Sequence, residues 1–483
     1  MLCNIINIAA LVVFGVGLPL LICLNNIHIL QQNSYRNSRY RRWFSLKNYL
    51  STFKWTRKQK LPLVYTPRVK RLITTCVILI IIIQAGIVLL TQNMYCGYLL
   101  TAFAFLIVQA ANILNAPIEK SIAQGYYNDA KRILESMPNL TIVAVTGSYG
   151  KTSTKHYLHK ILSEKFITLM TPGSFNTTLG VVRTIREHLK PYHQVFIVEM
   201  GAKQVGDIEE ICKLVNPSIG IITAVAEQHM ETFHSLENVL KTKFELAESL
   251  PADGLLAINN DFPAIAENHR QYKCRTIRYS QTQADVHLRN ISYSSSGTKF
   301  EVVAKDWSIE LQTSLVGKYN LSNLTASVIV AKELGLTDQQ IKIGVSRVEQ
   351  VEHRLSIKRQ PSGITVIDDA FNSNPYGAQM ALEVLSGFPS KRIVVTPGMI
   401  ELGDKQFEEN KKFGAQIARS ADIAIVVNKV NADAITEGLR EGGMDNSKIM
   451  VAKNLFEATT ILNKISAAGD TILYENDLPD MFK

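Results

Sequence analysis

Acidic residues are absent from the first 118 positions of this 483-residue chain, although those positions carry twelve lysines and arginines. The rest of the chain has 40 basic and 42 acidic residues, so the formal net charge of +10 arises entirely between Arg36 and Arg71. A nearly neutral body argues against nucleic acid as a partner. A basic stretch beside apolar segments is typical of a surface that contacts anionic membrane lipid.

Cysteine is scarce as well. The chain has six cysteines and no CxxC pair, and four of the six lie in or beside apolar segments. This pattern argues against a disulfide framework and favours a reducing compartment. At roughly 150 residues per domain, the length predicts about three domains.

Long apolar runs are confined to the N-terminal region, at residues 5–24, 72–90 and 98–114. A membrane span needs about 17–25 residues, so each run is a candidate span, although the short third run could instead be a buried or interfacial helix. The first run lacks a basic flank and a cleavage site, which argues against a signal peptide. We expect a membrane region over 1–118.

The basic loop 25–71 between the first two runs should stay in the cytoplasm. Trp43 and Trp55 interleave with its charges, as in a segment that lies on lipid; nucleic acid is the rival partner for such a mix. Two further crossings would return the chain to the cytoplasm. We therefore expect a multi-pass protein of the cytoplasmic membrane with residues 119–483 in the cytoplasm.

The remainder of the chain alternates strand-like and helical patterns, which predicts an α/β fold: a parallel sheet with helices on both faces. We expect a helical connector at 119–139, a nucleotide-binding domain at 140–350 with a small antiparallel insertion at 284–316, and a Rossmann-like C-terminal domain at 351–483.

A phosphate-binding loop is predicted where an apolar strand ends at Val145 and a helical pattern follows. Glycines in such a turn let the backbone approach an anion, a lysine reaches the terminal phosphates, and a hydroxyl binds Mg²⁺. The full signature would place a glycine at Val145, so an ordinary glycine turn is the alternative. The candidate nucleotide-binding residues are Gly147, Ser148, Gly150, Lys151, Thr152 and Ser153.

Two polar residues follow later apolar strands. Glu199 comes after the run 195–198, and His229 follows the run 219–225, so both should lie at the carboxyl edge of the sheet, where such sheets bind ligands. The alternatives are a surface carboxylate and a structural histidine.

Taken together, a series of motifs resembles the Mur ligases, closest to the MurF branch that adds D-alanyl-D-alanine to a muramoyl tripeptide. The resemblance covers residues 140–483 and does not cover 1–118. Two stretches depart from the branch pattern, at Pro397–Gly403 and Glu475–Asp480. The matching segments, besides the phosphate loop, are 171–180, 198–202, 226–229, 241–246, 317–323, 352–355 and 368–375.

The resemblance implies an ADP-forming ligase that uses ATP and Mg²⁺ to convert a carboxylate into an acyl phosphate, which an amine then attacks. It assigns catalysis to Lys151, Glu199, His229 and a carbamylated Lys243, and metal binding to Thr152, Glu199 and His229. It assigns nucleotide contacts to Asn320, Asn323, Arg354 and Asp369, and substrate contacts to Asn176, Thr177, Asn372 and Asn374. Without the resemblance, Lys243 could be a solvent-exposed lysine on a helix, and Asn320 could be a helix N-cap.

The apolar N-terminal region stands where the family has a domain that binds a UDP-sugar. We therefore expect a lipid-linked or other envelope-precursor carboxylate, an amino acid or short peptide as the amine, and membrane lipid as a further partner. Alternatives are a transport ATPase, a Mur-like poly-γ-glutamate synthase, and a scaffold with a degenerate nucleotide site.

Overall fold

The computed structural model describes residues 16–52, 62–92, 100–294, 297–371 and 373–477. The chain divides into two compact units, Met1–Tyr126 and Tyr127–Lys483.

The first unit is helical, and its buried apolar side chains form one cluster. Thr66 caps the long fourth helix by accepting a hydrogen bond from the Val69 N–H, and Pro67 occupies its first turn; both residues are typical helix-start signals. The described helices are α1 (Leu18–Gln32), α2 (Asn37–Trp43), α3 (Leu46–Ser51), α4 (Pro67–Thr91) and α5 (Ala104–Glu135).

Two helices in the described part of the chain, Pro67–Thr91 and Leu100–Glu135, are long and apolar enough to cross a membrane, judged by length and composition. They contain the predicted runs 72–90 and 98–114, apart from residues 98 and 99, which lie outside the described residues. Residues 104–114 of the third run and residues 119–135 of the predicted connector belong to one continuous helix, α5.

The predicted first span is described only in part. Residues 5–15 lie outside the described residues, and residues 18–24 belong to α1, which continues to Gln32. The helix can extend because its buried amide is satisfied: Asn26 Nδ2 donates to the Ile22 carbonyl at 2.9 Å, and Asn26 Oδ1 accepts from Tyr40 at 3.0 Å. Much of the described part of 25–71 is therefore helical.

The second unit is built on two sheets, which confirms the α/β fold. The first has the order β2-β3-β1-β4-β5-β6-β7-β8-β9. Strands β1 to β6 run parallel, and β7 joins β6 in parallel before the antiparallel β7–β8–β9 meander extends the sheet. Its strands are β1 (Thr141–Thr146), β2 (Thr168–Met170), β3 (Val195–Glu199), β4 (Ile219–Ile222), β5 (Leu255–Asn259), β6 (Arg275–Ser280), β7 (Val286–Ser294), β8 (Gly297–Ala304) and β9 (Ser308–Thr313).

Both faces of this sheet are covered. Along β1, Ile142 and Ala144 join one apolar cluster while Val143 and Val145 join another, as expected when successive side chains point to opposite faces. The helices are α6 (Lys151–Leu162), α7 (Thr178–His188), α8 (Asp207–Val215), α9 (Met230–Phe233), α10 (Leu236–Ser249), α11 (Pro263–Ala266), α12 (Lys318–Glu333) and α13 (Asp338–Ser346).

The second sheet has the order β10-β11-β15-β12-β13-β14, parallel except for the antiparallel edge strand β10. Its strands are β10 (Ser356–Arg359), β11 (Thr365–Asp369), β12 (Arg392–Thr396), β13 (Ile423–Val427), β14 (Ile449–Ala452) and β15 (Thr471–Glu475). Its helices are α14 (Pro375–Ser386), α15 (Gln406–Ser420), α16 (Ala432–Glu441) and α17 (Leu455–Ile465), with short 3₁₀ turns at Gly403–Lys405 and Asn446–Lys448.

Candidate active site

The predicted phosphate-binding loop lies between β1 and α6. Gly147 has a φ of +153°, and a Cβ there would stand 2.0 Å from Thr223 Oγ1. Gly150 has a φ of +78°, and a Cβ there would stand 2.7 Å from Asn323 Oδ1. Both positions therefore need glycine. The loop leads into the N-terminus of α6, where backbone N–H groups attract anions.

Lys151 folds back over this loop. Its Nζ donates to the carbonyl oxygens of Gly147 at 2.6 Å and of Ser148 at 3.4 Å. Burial lowers the pKa of Lys151 to about 8, although Glu199 opposes the shift. The amine is thus held directly against the loop that would cradle phosphate.

The two predicted serines are used to build the loop. The Ser148 hydroxyl donates to the Ala226 carbonyl at 2.9 Å and accepts from the Ala226 N–H at 3.0 Å, while its own N–H donates to the Ala224 carbonyl. Ser153 is buried in the first turn of α6. Ser148 therefore ties the loop to the segment after β4, with both its hydroxyl and its N–H engaged there.

Glu199 contacts two of the predicted site residues and one further lysine. Its Oε1 accepts hydrogen bonds from Thr152 Oγ1 at 3.2 Å and from Asn176 Nδ2 at 3.0 Å, and its Oε2 lies 2.9 Å from Lys155 Nζ. Although burial alone would raise it, the pKa of Glu199 is held below its usual value by Lys155 and Lys151. The carboxylate is therefore charged at the carboxyl edge of β3, beside the phosphate loop.

Lys155 is a site residue that the sequence analysis missed. Its side chain is fully buried and also donates to the Gly173 carbonyl at 2.7 Å. The available signal was its spacing, because a residue four positions after Lys151 lies on the same side of the helix. The pairing depends on β3 running parallel to β1, which local sequence does not reveal.

His229 lies at the same edge of the sheet, in the segment after β4, with a φ of +52°. Its Nδ1 is hydrogen-bonded to Glu401 Oε2, a residue of the second sheet's loops. Burial lowers the pKa of His229, and Glu401 partly opposes the shift. Glu401 is thus another residue that the sequence analysis did not select, although it lies in one of the two stretches that depart from the branch pattern.

Lys243 is buried on α10, with 1% of the residue exposed. Burial lowers its pKa to about 7, and the neighbouring Lys151 acts in the same direction, while Asp207 and Glu245 oppose it. Among the described residues it makes no hydrogen bond or ion pair. A buried amine with a lowered pKa is not the solvated helix lysine considered above.

The second sheet brings Arg354 and Asp369 toward the loop. Arg354 Nη2 lies 3.5 Å from Thr152 Oγ1, and its guanidinium is 4.1 Å from the centre of the Phe371 ring. Asp369 Oδ1 accepts a hydrogen bond from the Leu355 N–H at 2.9 Å. Burial raises the pKa of Asp369 to about 6, although Arg354 opposes the shift.

Two other predicted site residues cap the N-termini of helices. Thr177 caps α7 through the Gly180 N–H, and Asn374 caps α14 through the Gly377 N–H. Asn372 lies outside the described residues.

Asn320 accepts from the Tyr157 hydroxyl at 2.7 Å and donates to the Val316 carbonyl at 2.8 Å. The N-cap of α12 is Gly317 and not Asn320, and one donor and one acceptor site of the Asn320 amide are already paired within the protein. Only Asn323 of that pair faces the phosphate loop, against Gly150.

A cavity of about 450 Å³ adjoins Thr152 and lies between α6 and the chain that leads to the second sheet. Its polar lining combines basic side chains, imidazoles and carboxylates. They are Lys160, Arg347, Arg354, His156, His159, His353, Glu349 and Glu352.

An aromatic cluster joins the phosphate loop to the second sheet's domain. Tyr149 stacks on Tyr376, with ring centroids 5.3 Å apart and an interplanar angle of 17°. Phe262 and Tyr319 pack edge-on against Tyr149 at 5.4 and 5.7 Å. The four rings hold one residue of the loop against both domains, a contact that sequence spacing gave no reason to expect.

Comparisons with known proteins agree with this arrangement. The family model of the Mur ligase middle domain matches residues 145–331, and that of the Mur ligase glutamate ligase domain matches residues 353–474. The UDP-N-acetylmuramoyl-tripeptide–D-alanyl-D-alanine ligase of Bacillus subtilis is 28% identical over 352 residues, which cover 72% of this chain and 75% of that one.

The ligase of the same name from Mycobacterium tuberculosis H37Rv is 30% identical over 356 residues, covering 69% of this chain and 70% of that one. The crystal structure of Thermotoga maritima MurF with ADP superposes with a TM-score of 0.66 at 25% identity, covering 74% of this chain and 80% of that one. This chain therefore belongs to the Mur ligase family, whose members are ATP- and Mg²⁺-dependent enzymes that form an amide bond and release ADP.

Proposed function

We propose that this ligase activates a carboxylate of a cell-wall or envelope precursor and joins it to the amine of an amino acid or short peptide. The carrying observation is the buried Glu199 carboxylate, which contacts Thr152, Asn176 and Lys155 beside the lysine of the phosphate loop. The named relatives act on a UDP-N-acetylmuramoyl tripeptide and D-alanyl-D-alanine. These are the first substrates to test here.

The residues fit Mg²⁺. Thr152 Oγ1 and Glu199 Oε1 are hard oxygen donors 3.2 Å apart, and a nucleotide-bound Mg²⁺ takes only one or two protein ligands besides phosphate and water. That suits a site in which, among the described residues, no group of three or more His, Cys, Asp or Glu side chains could hold a metal. We assign one ion to Thr152 and Glu199 and a second to His229. When bound, nucleotide and metal supply phosphoryl transfer and neutralise its charge.

The chain's own residues would orient the reactants. Lys151 holds the terminal phosphates, and Asn176 positions the carboxylate next to Glu199. Asn323, Arg354 and Asp369 hold the nucleoside beside the phosphate loop. Three other predicted residues would act indirectly, by shaping the loops and helix ends in which they lie. They are Thr177, Asn320 and Asn374, to which the resemblance had given direct contacts.

The test is ADP release by the purified full chain in detergent. We expect release only when a suitable carboxylate and an amine are both present, and its loss in Lys151→Met. Lys190→Met, an exposed lysine on the same unit, is the matched control and should retain activity. ADP release that ignores both substrates would instead indicate a transport ATPase.

We further propose that Lys243 is carbamylated. Carbon dioxide reacts with the neutral amine, and a pKa of about 7 leaves Lys243 neutral above that pH. With ¹³C-labelled bicarbonate, the full chain should show a carbamate resonance that grows as the pH rises through 7. Lys243→Met should abolish this resonance, whereas Lys241→Met, the exposed neighbour on α10, should keep it. A signal that survives in Lys243→Met would refute the assignment.

We also propose that residues 1–118 anchor the enzyme at the cytoplasmic face of the membrane, ahead of a connector at 119–139 and ligase domains at 140–350 and 351–483. The two long apolar helices and the exposed Arg36, Arg41 and Arg42 support an anchor that also contacts anionic lipid. The full chain should stay with cell membranes through an alkaline carbonate wash; release by the wash contradicts the anchor. Comparing UDP-linked with lipid-linked carboxylates then tests the substrate class.

A further inference from the structure

The loop after β12 presents a carboxylate to the metal side of the candidate site. Glu401 contacts His229 Nδ1 through Oε2, and its Oε1 lies 3.9 Å from Lys203 Nζ. Because β12 belongs to the second sheet and His229 follows a strand of the first, this contact crosses the interface between the two ligase domains. A second contact between the two ligase domains, which we call the neighbouring tie, is the ion pair of Lys405 and Glu227, with Lys405 Nζ 2.7 Å from Glu227 Oε1.

This loop is held rigidly by buried asparagines. Asn410 accepts from the Met399 N–H and donates to the Met399 carbonyl, and Asn431 donates to the carbonyls of Pro397 and Met399. Asn476, at the end of β15, donates to the Gly398 carbonyl. The backbone of residues 397–399, just before Glu401, is thus fixed by asparagine side chains that are themselves buried. A carboxylate on such a support holds a defined position.

The contact determines which nitrogen of His229 can bind a metal. A carboxylate at Nδ1 accepts the Nδ1 proton, so that tautomer leaves the Nε2 lone pair available. Among the described residues, Nε2 makes no hydrogen bond. Both partners adopt left-handed backbone conformations, with φ of +52° at His229 and +63° at Glu401, so each side chain is presented from an unusual local geometry.

We infer that Glu401 is a positioning residue: it fixes the His229 tautomer and orientation from the opposite domain, so that metal binding and closure of the two ligase domains favour each other. The inference rests on the proposed role of His229 as a metal ligand. Coupling of this kind is reciprocal, since metal binding must favour closure by the same factor by which closure strengthens metal binding.

The positioning role can be tested by titrating the full chain with Mn²⁺ in the presence of ADP. The loss of the electron paramagnetic resonance signal of free Mn²⁺ measures binding. We expect Glu401→Ala to weaken Mn²⁺ binding by about tenfold or more, which is the usual effect of removing a partner of a ligating histidine. Glu401→Gln should fall between it and the parent chain, because an amide oxygen still accepts from Nδ1. Glu227→Ala, which breaks only the neighbouring tie, should bind Mn²⁺ within about twofold of the parent chain.

Repeating the measurement in the His229→Ala variant separates the positioning role of Glu401 from the metal-binding role of His229. If Glu401 acts through His229, Glu401→Ala should add no further loss there. Equal losses in both backgrounds, or equal losses in Glu401→Ala and Glu227→Ala, would overturn the positioning role and leave the proposed function intact. Unchanged Mn²⁺ binding by His229→Ala would overturn the metal assignment itself.

Discussion

The ion pair of Lys155 and Glu199 differs from the other ion pairs of the second unit because both of its side chains are almost fully buried, at 0% and 1% exposure. The Arg183–Glu187 pair on α7 has a similar distance, 2.9 Å, but its side chains are 59% and 48% exposed. Burial makes each charge of the first pair dependent on the other, whereas water screens the second.

We predict that Lys155→Met lowers the free energy of unfolding by about 3–5 kcal/mol, because it leaves the Glu199 carboxylate buried without its cation. Arg183→Met, the exposed control, should cost less than about 1 kcal/mol. Urea unfolding of both variants measures the difference. Adding Glu199→Gln to Lys155→Met should recover part of the loss; a double variant as unstable as the sum of the singles would contradict the pairing.

Among the elements, the β1–loop–α6 unit concentrates the constraints on sequence. The strand is apolar because it is buried on both faces, and the turn needs glycine where Thr223 and Asn323 approach the backbone. The position of Val145, where the usual signature has glycine, is an ordinary buried strand position. The missing glycine therefore does not disturb the loop.

We predict that Gly147→Ala weakens ADP binding by about tenfold or more, because a Cβ 2.0 Å from Thr223 Oγ1 forces the loop to shift away from its anion-binding geometry. Gly125→Ala, in a helix where the added Cβ meets nothing within 4 Å, should bind ADP as the parent chain does. Titration with a fluorescent ADP analogue reports both. Normal binding by Gly147→Ala would show that the loop does not hold the nucleotide.

Sequence alone predicted most of these elements because buried parallel strands are apolar along their whole length. The predicted strand 195–198 lies within β3, and the predicted run 219–225 contains β4. The strands β2 and β10 were not predicted: one has only three half-buried residues, and the other, Ser356–Arg359, is a largely polar edge strand. Such strands owe their conformation to a neighbour and carry little local signal.

The site was predictable where a motif carries the chemistry. Glu199 and Thr152 meet as the edge rule suggested, because both follow adjacent parallel strands. Lys155, Glu401 and Tyr376 were missed, since their roles depend on which strands and domains become neighbours. The resemblance assigned Asn320 a nucleotide contact, and in the structure its amide also pairs with the Tyr157 hydroxyl and the Val316 carbonyl, contacts that no sequence pattern predicts.

At the scale of the whole second unit, the two sheets meet around the phosphate loop through one aromatic cluster and several polar contacts. The Tyr149–Tyr376 stack is partly buried and carries no net charge, so salt should affect it little. The Lys405–Glu227 pair, with 57% and 27% of its side chains exposed, should contribute at most about 1 kcal/mol and should weaken in salt.

We predict that Tyr376→Ala speeds hydrogen exchange in residues 147–150, because Tyr149 loses the ring that fixes it against the second domain. Tyr192→Ala, an exposed tyrosine on the same unit, is the control and should leave that exchange unchanged. Mass-spectrometric exchange of the intact chain resolves the difference. Equal exchange in all three proteins would show that the aromatic contact does not restrain the loop.

The lowered pKa of Lys151 has a calorimetric consequence. At pH 8 this amine is partly uncharged, because burial disfavours its charged form. An arriving polyphosphate favours the ammonium form, so it should raise the pKa of Lys151 and draw protons from solution. The heat of ADP binding at pH 8 should therefore change in proportion to the ionisation enthalpy of the buffer, and this proportionality should shrink near pH 6, where the amine is already charged.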